Sequence, residues 1–146
     1  RSIGPLFYAD TSEDKDAVVL GMLDALMKPG LVAKKMDGYT SIYCSAPYIP
    51  NSYLRCFGKY SGAHIYLDTD DLIHVCADLI LMHAKNAGSK IINLPKKVDV
   101  VIDLFSGEEV GRDIQNWQVD MQQYETKFYF AGSNQTAVEV RHQLDR

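Results

Sequence analysis

The sequence lacks an excess of charge of either sign, and it lacks any long uninterrupted apolar run. Lysine and arginine number 15 against 19 aspartate and glutamate residues, which gives a net charge of −4 over 146 residues. Basic residues occur in isolated pairs rather than in a stripe, so we expect no nucleic-acid partner. No apolar stretch reaches the roughly 20 residues that a membrane-spanning helix needs, so we expect no membrane partner.

Cysteine is scarce and does not occur in pairs. The chain has Cys44, Cys56 and Cys76, and an odd number cannot pair completely within one molecule. No two of them form a CxxC motif, which argues against structural zinc. Each has apolar or aromatic neighbours in the sequence, which predicts buried free thiols. Unpaired cysteines favour a reducing compartment such as the cytoplasm.

Motifs of catalysis and metal binding are also missing. The four histidines show neither HxH nor HExxH spacing, and there is no GxSxG motif. A glycosidase needs two carboxyl groups about 5–10 Å apart across a cleft, and no acidic pair here lies in a recognisable barrel pattern. We therefore predict a non-enzyme with no catalytic residue, no metal and no cofactor. The histidines are interpreted as sheet residues that hydrogen-bond to a neighbour.

One acidic cluster, formed by Asp68, Asp70 and Asp71, invites comparison with a calcium loop. An EF-hand loop starting at Asp68 needs glycine at its sixth position and glutamate at its twelfth, where this chain has Ile73 and Leu79. The alternative is a solvated turn whose side chains cap backbone groups, and we favour it.

Apolar residues, in contrast, are present in the proportion that a packed core requires. They make up 47% of the chain, against 23% charged residues, as in an average globular domain. The chain starts at Arg1 without an initiator methionine or a signal-peptide core, which predicts that it was excised from something longer.

The first half contains one clear hairpin and one short helix. Residues 17–27 fit either a strand or a helix, and Pro29-Gly30 is a strong stop in both cases. Residues 31–36 and 39–44 predict two strands around the turn Asp37-Gly38. A helix is predicted from Asn51 or Ser52 to Tyr60, with Gly62 as its C-terminal stop and with a buried side formed by Leu54, Phe57 and Tyr53.

The second half reads mainly as short strands. Residues 64–67 predict a strand, and residues 72–84 fit either a helix or a two-stranded hairpin around Ala77-Asp78. Beyond Gly88, alternating apolar residues predict strands over 89–94, closed by Pro95, and then over 98–104, 117–121 and 127–130. Such spacing is typical of a β-sandwich. Residues 132–146 are polar and predict a frayed tail.

Several fragments, taken in order, resemble a known arrangement. They are Val19-Leu20-Gly21, Lys28-Pro29, the 38–43 strand with Ala46-Pro47, 62–66 with 68–71, His83-Ala84, 91–95, 101–108 and Tyr124-Glu125-Thr126. From Val19 to about Phe130 this series resembles the C-terminal regions of large bacterial β-galactosidase-like glycoside hydrolases.

In those proteins a catalytic barrel precedes a flavodoxin-like (trimerisation) domain and a small β-sandwich. The resemblance implies that this region lies downstream of the barrel and does not supply the two catalytic carboxylates. It also favours the hairpin over the helix for residues 72–84.

The predicted fold is therefore mainly β (α+β), an antiparallel β-sandwich with a small N-terminal α/β portion that carries one short helix. The predicted divisions are residues 1–62 for the α/β portion, 63–131 for the sandwich and 132–146 for the tail. The function that follows is a non-catalytic accessory region that packs on other domains of a larger parent protein or mediates homo-oligomer formation.

The abundant aromatic residues leave a second function open. Sugars stack on exposed aromatic rings, so a carbohydrate-binding module is the alternative, with Tyr39, Tyr66 and Trp117 as candidate ligand-binding residues. The competing interpretation is that these rings fill the core, and Trp117 alternates in phase with Val119 and Met121, which places it inside. A small independent hydrolase with a cysteine or carboxylate site is a third hypothesis.

Overall fold

The computed structural model describes residues 7–144. Within these residues the chain is mainly β, with two antiparallel sheets and two helices, which confirms the predicted mainly β (α+β) class. The chain divides into two compact units, Arg1–Pro50 and Asn51–Arg146. This division precedes the boundary predicted after residue 62, so the helix α1 (Asn51–Tyr60) belongs to the second unit.

The first unit contains a three-stranded antiparallel sheet in the order β1 (Ala17–Leu23), β2 (Lys28–Lys35) and β3 (Thr40–Cys44). The ambiguous residues 17–27 thus form a strand followed by a turn. The predicted hairpin between β2 and β3 is confirmed, and Gly38 lies in its turn with a φ of 80°, a conformation that glycine adopts without strain.

The sequence predicted that Pro29 would end a helix or strand. Instead it lies inside β2, opposite Met22. The register between β1 and β2 shifts on both sides of Gly21, so the ladder is irregular next to the proline. Proline is tolerated in strands at such irregularities because it has no N–H to donate. Its carbonyl oxygen accepts a hydrogen bond from the backbone N–H of Ala9, at 3.0 Å.

The second unit begins with α1 and continues with five strands and a second helix. The strands are β4 (Leu72–Cys76), β5 (Leu79–His83), β6 (Gly88–Asp103), β7 (Glu109–Met121) and β8 (Thr126–Gly132), followed by α2 (Asn134–Leu144). They form one antiparallel sheet in the order β4-β5-β8-β6-β7. The hairpin favoured for residues 72–84 is confirmed, with Ala77 in its turn at a φ of 51°.

Strand β6 runs through Pro95, which the sequence placed at the end of a strand. Its pairing with β7 shifts register between Asn93 and Val98, where the proline cannot donate a hydrogen bond. Side chains from β5, β6, β7 and β8 enter one core cluster, which includes Ile80, Met82, Ile92, Trp117 and Tyr129. The placement of Trp117 in the core is confirmed.

The predicted frayed tail is wrong, because residues 134–144 form α2. Its Ala137 is buried with Val100, Ile102 and Phe130, and Val140 packs against the same cluster. Val100 and Ile102 alternate with Val101, which belongs to the first cluster, so the two clusters lie on opposite faces of the sheet. Polar composition concealed this helix because only a narrow stripe of it is apolar.

Two further expectations differ from the structure. Residues 64–67 form no strand, although Tyr66 accepts one backbone hydrogen bond from Asn93, at 2.9 Å. Helix α1 begins and ends where predicted, and Gly62 follows it with a φ of 80°. Its predicted buried side is wrong, however, since Tyr53 is 46% exposed and Leu54 is 51% exposed. Neither helix in the described part of the chain has the length and apolar character needed to cross a bilayer.

Candidate functional site

The three aromatic residues predicted for ligand binding have different environments. Trp117 is 7% exposed, and its ring meets the Tyr129 ring edge-on at a centroid distance of 5.2 Å. Burial therefore removes Trp117 as a stacking platform. Tyr66 is half-buried, with its ring 4.6 Å from that of His64 and nearly perpendicular to it. Tyr39 is exposed beside the β2–β3 turn.

The acidic cluster is mostly a set of ion pairs rather than a capped turn. Lys59 Nζ contacts Asp68 Oδ1 at 2.5 Å, and an Arg55 guanidinium nitrogen contacts Asp70 Oδ1 at 2.7 Å. Asp71 departs from the prediction of a solvated turn. Its side chain is 2% exposed and lies 3.0 Å from the ammonium of Lys90, whose side chain is 6% exposed.

The Asp71 carboxylate is fully engaged by protein groups. Besides Lys90, the Thr69 hydroxyl donates to it at 2.6 Å and the Lys85 backbone N–H donates at 2.7 Å. Burial alone would raise the pKa of Asp71, but these hydrogen bonds and the Lys90 charge outweigh it and hold the pKa below its usual value. The ion pair of Asp71 with Lys90 holds the loop before β4 against β6, and we assign this ion pair a structural role.

A second charged cluster lies at the end of β6. Asp103 is buried, accepts the backbone N–H of Phe105 at 2.9 Å, and lies 3.3 Å from Lys127 Nζ. Burial lowers the pKa of Lys127, but the hydrogen bond and charge of Asp103 reverse this and raise it overall. Burial raises the pKa of the neighbouring Tyr129. Glu125 Oε1 lies 3.5 Å from the same Lys127 ammonium, so the cluster consists of two carboxylates that share one cation.

Histidine and cysteine side chains are dispersed. His83, on β5, lies 2.9 Å from the Thr126 hydroxyl, as expected for a sheet histidine, whereas His64 bonds the Asn93 carbonyl from outside any strand. The prediction of buried thiols is wrong for Cys56 and Cys76, which are exposed. Within residues 7–144, no three histidine, cysteine or acidic side chains come together in a way that could hold a metal ion.

The most unusual surface of the first unit is formed by apolar side chains of β1. We call Val18, Val19, Leu20 and Met22 the β1 surface, and each is between 41% and 58% exposed. Alternate residues of a strand point to opposite faces, so Val18 and Val19 place apolar side chains on both faces of the sheet. The strand contains no charged residue, and within the described residues β2 is the strand bonded to it.

Cross-strand neighbours continue this apolar character. On one face Val19 lies opposite Val32, and Val32 lies opposite Tyr43. On the other face Val18 is opposite Ala33, which is opposite Ile42. Near-continuous apolar runs of this kind are typical of strands that are covered on both faces. Exposed apolar patches rarely occur on isolated soluble proteins and usually mark interaction surfaces.

An open cleft of about 550 Å³ lies in the same unit. It is lined by Phe7, Tyr8, Ala9, Tyr43, Cys44 and Ser45. The Lys28 ammonium lies 5.3 Å from the centre of the Tyr8 ring, and the Ser45 hydroxyl donates to the Gly30 carbonyl at 3.1 Å. Three exposed rings, those of Phe7, Tyr8 and Tyr43, therefore line one concave surface.

Sequence reasoning missed these features for identifiable reasons. The run AVVLGML was ambiguous between helix and strand, so its solvent exposure could not be inferred, although its lack of charge was visible. Phe7 and Tyr8 lie outside any regular element, and nothing in their local pattern places them beside Tyr43. Comparison of the chain with protein-family models, with curated proteins and with solved structures found no match.

Proposed function

We propose that this chain is a non-catalytic accessory region of a glycoside-hydrolase-like protein, and that it packs on other domains or mediates association between chains. Its fragments, taken in order, resemble the C-terminal regions of β-galactosidase-like proteins, and this resemblance supports a glycoside-hydrolase-like parent protein. The β1 surface supports the packing role, because its apolar side chains are exposed on a sheet whose strands have the composition of covered strands.

The observation that carries the proposal is the exposure of apolar side chains on both faces of one uncharged strand. An antiparallel sheet commonly exposes one face to solvent, and that face is normally polar. Here apolar residues are exposed on both faces of β1. Val18 at 58% and Met22 at 50% exposure are the largest contributors within the strand. A covering domain would remove this area from water at a gain of about 25 cal/mol per Å².

The first experiment tests the absence of chemistry. The purified chain is incubated with nitrophenyl galactosides, and the expected result is no release of nitrophenol above the buffer rate. Hydrolysis that is lost in Asp103→Asn or another carboxylate variant would contradict the proposal, since it would assign the chain a reaction of its own.

The second experiment tests the β1 surface. A dye that fluoresces on apolar surfaces should bind the chain, and Val18→Lys combined with Met22→Lys should remove roughly half of the signal. Val138→Lys is the matched control, because Val138 is 70% exposed on α2 and is not part of the β1 surface. Equal signals from both variants would contradict the assignment of this surface.

The cleft favours a carbohydrate-binding module as the second candidate. Phe7 is 69% exposed and Tyr43 is 40% exposed, so both rings are accessible for stacking against a sugar. Calorimetric titration with galactose and short galactosides decides between the two functions. Binding that is abolished in Tyr43→Ala and retained in Tyr39→Ala would favour the module, whereas the accessory function predicts no heat of binding.

A further inference from the structure

The turn between β7 and β8 contains a tyrosine in a strained backbone conformation. Tyr124 has a φ of 65°, in the left-handed region that bulky side chains rarely adopt. The backbone N–H of Glu125 donates to the Gln122 carbonyl at 3.2 Å, so Tyr124 is the third residue of a four-residue turn. Glycine or asparagine normally occupies this position when its φ is positive. The tyrosine therefore stands here at a cost in backbone energy.

Burial of the Tyr124 ring does not offset this cost. Tyr124 is 68% exposed, so folding removes little of its apolar surface from water. Tyr129 of the next strand, in contrast, is 2% exposed and belongs to the core. Backbone strain that packing does not explain is concentrated at ligand-binding and catalytic sites. The exposed ring of Tyr124 is therefore a candidate contact for a ligand.

Hydrogen bonds hold the turn, and with it the Tyr124 ring, in one place. The Tyr124 backbone N–H donates to the Ala84 carbonyl at 2.8 Å, and the Ala84 N–H donates to the Glu125 carbonyl at 2.9 Å. The backbone N–H of Gln122 donates to Glu125 Oε2 at 2.7 Å. These bonds attach the turn to the residue that follows β5. A binding group that is already ordered loses little conformational entropy when its ligand binds.

A second ring lies beside that of Tyr124. The His83 imidazole is nearly parallel to the phenol ring, with 20° between the ring planes and 6.4 Å between the centroids. The Thr126 hydroxyl lies 2.9 Å from His83 Nδ1, and this contact fixes the orientation of the imidazole. We call the two rings the Tyr124 platform. Gln123, the next residue in the turn, carries an amide that donates to the Lys85 carbonyl at 3.3 Å.

We propose that the Tyr124 platform binds the flat face of a pyranose sugar whose ring substituents are equatorial, as in β-glucosides. Such a sugar directs axial C–H groups at an aromatic face and carries its hydroxyl groups around the rim, where amides such as that of Gln123 accept and donate hydrogen bonds. The phenol of Tyr124 combines an apolar body with a polar tip, which suits a ligand of this kind.

Charge separates this ligand from the other common stacking ligands. Nucleic-acid bases also stack on tyrosine, but the phosphates that they carry are disfavoured by a chain with a net charge of −4. The platform lies in the second unit, whereas the cleft lined by Phe7 and Tyr43 lies in the first. The inference goes beyond the proposed function, because packing on other domains does not require a sugar site.

The expected affinity is low, because an open platform contacts one face of the sugar and leaves the other face in water. We expect a dissociation constant on the order of 10 mM. Binding this weak gives little heat in a calorimetric titration, so it is compatible with the null result that the accessory function predicts there. It becomes effective when a polymer presents many sugar units or when a second site holds the same polymer.

Titration of the complete chain with methyl β-glucoside up to about 100 mM, followed by nuclear magnetic resonance, tests the proposal. Backbone signals of residues 122–126 should shift and approach saturation. Tyr124→Ala should weaken binding about tenfold or more, and Tyr124→Phe should keep it within about twofold, because the ring remains. Tyr48→Ala is the matched control, since Tyr48 is also 68% exposed, and it should leave binding unchanged. Signals that do not shift, or equal weakening by Tyr124→Ala and Tyr48→Ala, would overturn the proposal.

The stability of one further variant gives an independent measurement. Tyr124→Gly should abolish binding without lowering the urea midpoint of unfolding, because glycine adopts a positive φ without strain. A lower midpoint would mean that the ring supports the β7–β8 hairpin rather than a ligand, and it would overturn the assignment. Failure of either test leaves the hydrolysis and dye measurements, and hence the accessory function, unaffected.

Discussion

Replacing Asp71 by alanine should destabilise the second unit far more than removing any exposed partner of the acidic cluster. The Asp71 side chain is 2% exposed, and it accepts from Lys90, Thr69 and the backbone N–H of Lys85. Alanine leaves the Lys90 ammonium, whose side chain is 6% exposed, buried without an opposite charge. Removing one partner of a buried ion pair is costly for this reason.

The expected loss is about 3 kcal/mol in the free energy of unfolding, at the lower end of the range for buried pairs. We use the lower end of this range because Asp71 is only half-buried when its backbone atoms are counted with its side chain. Asp68→Ala is the matched control, since Asp68 is 66% exposed in its pair with Lys59. It should cost less than about 1 kcal/mol.

Urea unfolding at pH 7, followed by circular dichroism, provides the measurement. Asp71→Ala should lower the midpoint without a large change in slope, which indicates a loss of stability rather than a change in compactness. Replacing Lys90 by methionine in the same chain should recover much of the loss, because the uncompensated charge is then absent. A loss no greater than that of Asp68→Ala, or no recovery in the double variant, would refute the reasoning.

Three further predictions concern the second unit. The pKa of Asp71 is lowered in the folded state, so its contribution is complete above about pH 4 and is lost as the pH falls further; acid titration should therefore show a steeper loss of stability in the wild type than in Asp71→Asn. Gly132→Ala should cost about 2 kcal/mol, because the new Cβ would lie 2.7 Å from the Phe130 ring, and Gly111→Ala, which meets only a flexible side chain, should cost less in the same urea assay. A chain ending at Ser133 lacks α2 and should melt at a lower temperature and bind more apolar-surface dye, since the helix covers Phe130; an unchanged melting temperature would mean that α2 does not cover this core.

Much of the fold could be predicted from local chemistry. The hairpin around Gly38 and the stop at Gly62 followed from the positive φ that each position requires, and both were correct. The β4–β5 hairpin was not decided by periodicity, because Leu72, Val75 and Leu79 also fit a helix. In the structure the buried residues are Ile80 and Met82, which alternate along the strand.

The errors arose where tertiary contacts override local pattern. Helix α1 has apolar residues that predict burial on one side, but in the structure Arg55 and Lys59 face the loop at Asp68 and Asp70, and Tyr53 and Leu54 are exposed. The buried pair of Asp71 with Lys90 joins residues that are distant in the sequence. No spacing rule connects such positions, so the candidate site could not be assembled from the sequence.

Backbone hydrogen exchange of β1 tests the accessory function most directly. The reading frame upstream of Arg1 should encode a catalytic barrel, and the 146-residue chain is compared with the same chain extended through that domain. We predict that the amides of Ala17–Leu23 exchange substantially more slowly in the extended protein, because the β1 surface is then covered. Unchanged exchange in the extended protein, or an upstream frame without a barrel, would contradict the proposed function.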